Sequence, residues 1–344
     1  PLARISGDAS SGEVSPAMWA MPREDRWMHR HQQTGARPVA PTIMVVLVAT
    51  AALVACGGSP TPSQSQGQRF PVTINEAGGA AVTISHQPHR IVSLSPTATE
   101  MLFAIGAGRQ VIAVDDQSNY PASAPTTKLS GFQPNIEAIA GYAPDLVVAA
   151  EDTGSLVHGM QALSIPLLLE PAATTLDDSY AQIKQLGTAT GHASSADALV
   201  AQMRSQVAQF VSSLARPSHR LRVYHELDNT YYSVTSATFI GQVYKIFGLT
   251  NIADAATAAA PDYPQLSAEF IVSSDPDLIV LADTRCCDQN LDTVAARPGW
   301  GVINAVRTRQ VVGVDDDIAS RWGPRVIDFM RAIAPHVQQL ERAA

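Results

Sequence analysis

The sequence predicts an α/β protein built as two Rossmann-like lobes with central parallel sheets, joined by one long bridging helix. Three observations predict it. Short apolar runs alternate with helix-period segments along most of the chain, which is the pattern of strands covered by helices. Glu137-Ala-Ile-Ala-Gly-Tyr-Ala-Pro-Asp-Leu-Val-Val148 is echoed by Glu269-Phe-Ile-Val-Ser-Ser-Asp-Pro-Asp-Leu-Ile-Val280, both reading E-x-I-x-x-x-x-P-D-L-[VI]-V at an offset of 132 residues. Between the two copies, Ser194–Leu214 runs without Gly or Pro.

A second echo supports duplication. Met101-Leu-Phe-Ala-Ile-Gly106 pairs with Val243-Tyr-Lys-Ile-Phe-Gly248 at an offset of 142 residues. Such periods are too long for a solenoid repeat and fit the doubling of a whole lobe, with loop lengths changed between copies.

In chain order, Phe70–Ser85 reads as a β-hairpin turning at Gly78-Gly79. Ile91–Leu94 is a β-branched strand leading to Ser95-Pro96-Thr97, with Thr97 or Thr99 as helix cap and Gly106 or Gly108 as helix stop. Val111–Val114 is the next strand and breaks into Asp115–Pro121. Leu146–Ala150 and Pro166–Leu169 are uniformly apolar, as strands buried on both faces are. In the bridge, Leu199, Val200, Met203, Val207, Phe210, Val211 and Leu214 form one stripe at helical spacing, on a helix roughly 30 Å long. The second lobe offers Leu221–Tyr224, Leu278–Leu281 and Gln310–Val314. The expected organisation is therefore 1–55 leader, 56–69 anchor and tether, 70–192 N-lobe, 193–215 bridge and 216–344 C-lobe.

The leader carries its own message. Ile43–Ala55 is a 13-residue apolar run, too short to span a bilayer but the right size for the core of a secretory signal. Arg30 and Arg37 precede it, and residues 1–20 read as neither signal nor domain but as an extension upstream of a signal that Met21 or Met28 would start. The run ends in Leu53-Val-Ala-Cys56-Gly-Gly58, which resembles the lipobox of bacterial lipoproteins and implies lipidation of Cys56 after cleavage at Ala55. Gly57–Arg69 is then a flexible tether. This predicts an exported protein held by lipid on the outer face of the cytoplasmic membrane. A net charge of −8 argues against a nucleic-acid partner.

Chemistry of the catalytic kind is missing. No GxxxxGK[ST], HExxH, GxSxG or complete GxGxxG stands in the chain. The histidines are scattered, and Asp315-Asp316-Asp317 reads as a solvated turn. Cys286 and Cys287 are adjacent, and both a vicinal disulfide and a free pair stay open. No metal-ligand spacing accompanies them, so neither a metal nor a cofactor is expected. Two lobes, one stiff bridge and a tether predict a receptor that holds a ligand between the lobes, not an enzyme.

Arg90-Ile-Val-Ser-Leu-Ser-Pro-Thr-Ala-Thr-Glu100, Asn119-Tyr-Pro121, Gly131-Phe-Gln-Pro-Asn-Ile-Glu137, Pro144-Asp-Leu-Val-Val148, Pro264-Gln-Leu-Ser267 and Ser320-Arg-Trp-Gly-Pro-Arg325 resemble the class III substrate-binding proteins of ABC importers. Within that family the chain is most similar to the cobalamin-binding branch. The resemblance implies delivery of cobalamin or a related corrinoid to a permease dimer, by a monomer. A ferric-siderophore or haem receptor is the alternative, and a secreted lipoprotein enzyme ranks last. It implies permease docking through Glu137 and Glu269, one per lobe, and a ligand site drawn from Thr97, Gln117, Tyr120, Phe132, Tyr263, Asp317, Arg321 and Trp322. Arg285 and Arg325 are the further cations near that site, and the loop Asp283–Gln289 departs from the cobalamin pattern.

Overall fold

The computed structural model describes residues 68–76, 79–214, 220–256 and 262–343. The expected leader, Cys56 and the tether through Gly67 lie outside them. The described chain opens with the antiparallel hairpin β1 (Val72–Asn75) and β2 (Ala81–Ile84), in which Val72 faces Ile84 and Asn75 faces Ala81. Gly79, at φ +82°, donates its N–H to the Glu76 carbonyl at 2.9 Å, a left-handed turn position that favours glycine.

The N-lobe sheet holds β3 (Ile91–Leu94), β4 (Val111–Asp115), β5 (Thr126–Leu129), β6 (Leu146–Ala149) and β7 (Leu167–Leu169), ordered β5-β4-β3-β6-β7 and parallel throughout. The C-lobe sheet holds β8 (Arg222–Glu226), β9 (Thr250–Asn251), β10 (Leu278–Leu281) and β11 (Val311–Gly313), ordered β11-β10-β8-β9 and also parallel. Read from the other edge, β9-β8-β10-β11 matches β4-β3-β6-β7 strand for strand. The N-lobe adds β5 at its edge. The predicted strands are all present; β5 and β9 were not predicted. Both are short and polar, as edge strands are, and carry no apolar period to read.

Helices flank both sheets. The N-lobe has α1 (Pro96–Ala104), α2 (Ile136–Gly141), α3 (Leu156–Ala162) and α4 (Leu176–Thr190); α5 (Ala193–Ser213) is the bridge. The C-lobe has α6 (Phe239–Ile246), α7 (Ala268–Ser274), α8 (Leu291–Ala295), α9 (Asn304–Arg307), α10 (Asp316–Ser320) and α11 (Val326–Ala343). The cap of α1 is Ser95, whose Oγ accepts from Ala98 N, so neither Thr97 nor Thr99 caps it. Ser95 directly precedes the helix in extended backbone, the geometry an N-cap needs, whereas both threonines already lie inside.

The repeat is structural. Asp145 accepts from the backbone N–H groups of His89 (2.8 Å) and Arg90 (2.9 Å), and Asp277 accepts from that of Arg222 (2.8 Å). In each lobe the P-D carboxylate thereby staples the start of β6 or β10 to the start of the central strand. Gly106 and Gly248, paired by the second echo, both stand at positive φ just past α1 and α6.

Side chains alternate between two layers along each central strand. Leu146 and Val148 enter one apolar cluster while Val147 and Ala149 enter another; Leu278 and Val280 alternate likewise with Ile279 and Leu281. Burying each such Val, Leu or Ile side chain contributes about 1.5–3 kcal/mol. One cluster is continuous through both lobes, from Ile91 and Leu102 through Val200 and Met203 of α5 to Val280 and Phe329. A shared core of this kind makes the bridge part of both lobes.

The predicted stripe of α5 is buried only in its first half. Val200 and Met203 are enclosed, Val207, Phe210 and Leu214 are partly covered, and Val211 is exposed. Packing against antiparallel α4 covers the first turns. The later turns border a groove of about 490 Å³, lined by Leu176, Tyr180, Arg204, Val207, Lys245 and Ile246. None of the predicted ligand residues lies in that groove.

Candidate functional site

The carboxyl ends of the strands from both lobes meet at one place, where parallel α/β sheets present their ligand-binding loops. On the N-lobe side hydroxyl groups line the floor. Thr99 Oγ1 donates to Ser93 Oγ at 2.8 Å and lies 3.0 Å from Ser118 Oγ, linking the ends of β3 and β4 through buried hydroxyls. Gly131 presses on the same end: a Cβ there would stand 2.4 Å from the Leu94 carbonyl oxygen, so no larger residue fits. Beside it, burial pushes the Asp115 carboxyl up to about 6.

On the C-lobe side, the segment Asp315–Arg325 reaches across. Arg321 Nη1 donates to Glu100 Oε1 at 2.7 Å, and its Nη2 donates to Asp317 Oδ1 (2.7 Å), the Gln117 carbonyl (3.0 Å) and Asn119 Oδ1 (3.0 Å). Arg325 Nε donates to Glu100 Oε2 at 2.9 Å while its guanidinium lies 4.2 Å over the Tyr120 ring. Asn119 Nδ2 donates to Asp317 Oδ2 at 2.7 Å. Trp322 Nε1 donates to Gln182 Oε1 at 2.9 Å, and the Trp322 carbonyl accepts from Ser179 Oγ at 2.5 Å. Glu100 is thus a buried carboxylate shared by two arginines from the other lobe, a pairing that makes up for its desolvation.

Two residues of the expected ligand set lie within this contact. Thr97 is 3% exposed, with Gly323 packed against it, and Arg321 is 7% exposed with its donors already engaged. Both lie inside the interlobe contact and not on open surface. Gln117, Asp317 and Trp322 are half-buried at its edge. The aromatics remain open: Phe132 is 67% exposed, Tyr263 54% and Tyr120 46%. Phe132 and Tyr120 belong to the N-lobe rim. Tyr263 sits on a C-lobe ribbon in which Gln265 bridges Tyr232, a further exposed tyrosine that the sequence reading missed. Glu100 was missed as well, although it is the only charge in α1 and so stands out from its neighbours.

Cys286 and Cys287 form a vicinal disulfide. Asp315-Asp316-Asp317 is not a solvated turn. Asp315 caps α10 by accepting from Asp317 N (3.1 Å), Asp316 is buried, and Asp317 joins the lobes. Arg285 Nη1 lies 3.2 Å from both Asp315 and Asp317. The reason is tertiary: β11 ends beside the β10 loop, whose backbone N–H groups need acceptors.

Behind this surface the C-lobe is charged. Arg297 pairs with Glu226 through two 2.6 Å hydrogen bonds, stacks on Trp300 at 4.5 Å, and Tyr224 OH donates to Glu226 at 3.0 Å. Asp283 is fully buried beside them. Burial, then the Glu226 charge, hold its carboxyl well above the usual carboxylate range. His225 Nδ1 meets Tyr244 OH at 2.6 Å, and burial pushes this imidazole down to about 3.

Glu137 and Glu269 occupy the same position in the two lobes, one residue into α2 and α7. Each follows an N-cap, Asn135 or Ser267, and each is exposed and without an ion pair among the described residues. Among the described residues no group of His, Cys, Asp and Glu is arranged to hold a metal.

Two duplicated lobes with a shared core, meeting at their strand ends around polar and aromatic side chains, define a solute-binding protein. The chain belongs to the family described as periplasmic binding protein, whose model matches residues 91–318. A protein of Halobacterium salinarum named cobalamin-binding protein is 33% identical, over 85% of this chain and 83% of its own length. The uncharacterized ABC transporter substrate-binding lipoprotein YvrC of Bacillus subtilis is 29% identical, over 85% of this chain and 95% of its own. Among solved structures, the periplasmic vitamin B12 binding protein BtuF of Vibrio cholerae shares the fold with a TM-score of 0.63 at 22% identity, covering 74% of this chain and 98% of that one. The family consists of exported binding proteins, in agreement with the expectation of a receptor and not an enzyme.

Proposed function

We propose that the chain is a membrane-tethered receptor that captures cobalamin or a related corrinoid and delivers it to an ABC importer. The observation that carries this reading is the charge balance between the lobes. Arg285, Arg321 and Arg325 are each already met by Asp315, Asp317 or Glu100. The site therefore offers aromatic faces and neutral hydrogen-bonding groups without a surplus cation. A large ring edged by amides suits such a surface, because rings pack on aromatic faces and amides exchange neutral hydrogen bonds. A ferric siderophore or haem presents anionic groups that call for an unpaired cation. The name of the Halobacterium salinarum relative supports the same choice.

In this reading Tyr120 and Phe132 from one lobe and Tyr263 from the other grip the ring, with Gln117, Asp317 and Trp322 at its polar edge. Thr97 and Arg321 form the wall behind. Capture is followed by docking on a permease dimer, Glu137 and Glu269 each meeting one subunit. Paired carboxylates at equivalent positions suit a partner with two-fold symmetry and mainly steer the encounter. Cys56 carries the lipid, and more than one acyl chain is needed for a firm hold. The B. subtilis relative's name, a lipoprotein, supports that anchor.

Isothermal titration of the purified chain with cyanocobalamin, a ferric siderophore and haem in parallel tests the reading. One-to-one binding of cyanocobalamin alone is the expected result. Tight binding of an iron chelate with no heat from cyanocobalamin would overturn the ligand and keep the receptor.

A further inference from the structure

The loop between β10 and α8 is held at both ends by C-lobe groups and reaches the interlobe contact through Arg285. Its inner end is closed on Asp283, whose carbonyl accepts from Cys287 N and Gln289 N, both at 3.3 Å, while Gln289 Nε2 donates to the Cys287 carbonyl at 2.8 Å. Its outer end is closed on the buried Asp316. That carboxylate accepts from Thr284 Oγ1 (3.1 Å), Arg285 N (3.1 Å) and Cys286 N (2.9 Å), so its capacity is spent on this loop. Between these clamps the backbone direction of residues 285–287 decides where the Arg285 side chain goes, and it goes to Asp315 and Asp317.

Asp317 is the junction. Its Oδ1 takes Arg321, and its Oδ2 is shared by Arg285 and by Asn119 of the opposite lobe. Arg285 therefore stands one carboxylate away from a hydrogen bond between the lobes. We infer that the Cys286–Cys287 disulfide is a positioning element of the ligand site, which holds Arg285 on Asp317 and thereby sets the orientation of Asp317 toward the N-lobe. Closing adjacent cysteines into an eight-membered ring removes rotations about both side chains and their shared peptide. The loop then presents one conformation to the site. Arg285 is a positioning residue: it acts on the ligand through Asp317.

Since Cys286 is exposed, the ring is open to a dithiol. One thiolate attacks a ring sulfur and breaks the S–S bond, giving a mixed disulfide. The second thiol of the reductant resolves it. Two electrons and two protons pass to the cysteines, leaving two thiols here and a disulfide on the reductant. An exported dithiol oxidoreductase is the chemical class that performs this step. Reduction frees the loop, loosens Arg285 and leaves Asp317 to Arg321 and Asn119 alone.

The inference rests on the corrinoid reading for its binding assay but not for its second readout. Cyanocobalamin is titrated into the purified chain, oxidised or reduced by dithiothreitol, into the Cys286→Ser/Cys287→Ser double variant and into Arg285→Gln. Reduction, the double variant and Arg285→Gln are each expected to weaken binding about fivefold, the low end of measured couplings between sites. Reduction should change nothing further in Arg285→Gln. Equal affinity of oxidised and reduced chain, or an undiminished redox effect in Arg285→Gln, would overturn the inference. If the oxidised chain does not bind cyanocobalamin, the corrinoid reading fails and hydrogen exchange decides the inference. Reduction should then speed amide exchange in residues 284–289 and 316–321 but not in β3 or β6; unchanged exchange in those loops overturns it.

Discussion

At the starts of their strands the two lobes are near copies, and at the ends they are not. Arg90 and Arg222 lead into the central strands, Asp145 and Asp277 staple them, and Ala143 and Asp275 stand at matching positive φ. Arg90 donates to the Ala143 carbonyl, whereas Arg222 pairs with the Asp275 carboxylate. At the opposite ends, the N-lobe closes on the hydroxyls of Ser93, Thr99 and Ser118. The C-lobe closes on Glu226, Arg297, Asp283 and the buried His225. The shared end builds the sheet; the divergent end lies toward the partner lobe. Divergence is tolerated there because strand-end loops do not decide whether the sheet forms.

The comparison is broken most severely by removing Arg297. Arg297→Met strands Glu226 in the interior without its cation and is expected to destabilise the chain by about 3–5 kcal/mol, against about 1 kcal/mol for Thr99→Val at the corresponding end of the N-lobe. Urea denaturation of both variants measures the contrast, and equal losses would refute it.

Glu100→Gln tests the contact between the lobes. It replaces the buried carboxylate that Arg321 and Arg325 share with a neutral amide while Arg321 keeps Asp317, and a loss of about 2–4 kcal/mol is expected, with weaker ligand binding besides. Denaturant midpoints and titration calorimetry report the two effects separately.

Titration sharpens the contrast further. His225 is held down to about 3, so below an unfolded value of 6.5 the unfolded chain takes a proton that the folded chain refuses, and stability falls as pH drops from 6.5 toward 3. Asp115 has the opposite sign. Raised to about 6, it keeps its proton in the folded state after the unfolded state has ionised, so its contribution is lost as pH rises from 3.8 to 6. His225→Phe should flatten the acid limb of a stability–pH curve and Asp115→Asn the rise-dependent loss, each by at most about 1.4 kcal/mol per pH unit. Curves unchanged in shape would mean the burial of these groups is relieved in solution.

The smallest change is expected at the most symmetric pair. Glu137→Ala and Glu269→Ala should move stability by less than about 0.5 kcal/mol, since both are exposed and without an ion pair among the described residues. Uptake of ligand by cells carrying either variant should nevertheless fall, more so for the double variant. A stable, ligand-binding double variant with full uptake would remove the docking role.

Duplication, strands and bridge were legible because each has a local cause: an apolar run marks a buried strand, and uninterrupted 3.6-residue spacing marks α5. The exposed glutamates were legible through the repeat. Less could be read of the site. Phe132, Tyr120 and Tyr263 were found through family motifs, but Tyr232 carries no such mark. Thr97 and Arg321 were read as cleft positions, but their burial could not be read, because the segment that packs on Thr97 lies over two hundred residues further along the chain.

By itself, then, the sequence determined the elements, the duplication and the class of protein, because periodicity and repeated motifs act over a few residues. Tertiary structure decided which charges are spent and which surfaces are open. Glu100 is a site residue only because two arginines cross from the other lobe to meet it, and Asp315–Asp317 is a junction only because the β10 loop brings unpaired N–H groups beside it. Pairings of that kind depend on which distant segments fold against each other, and no spacing along the chain encodes them.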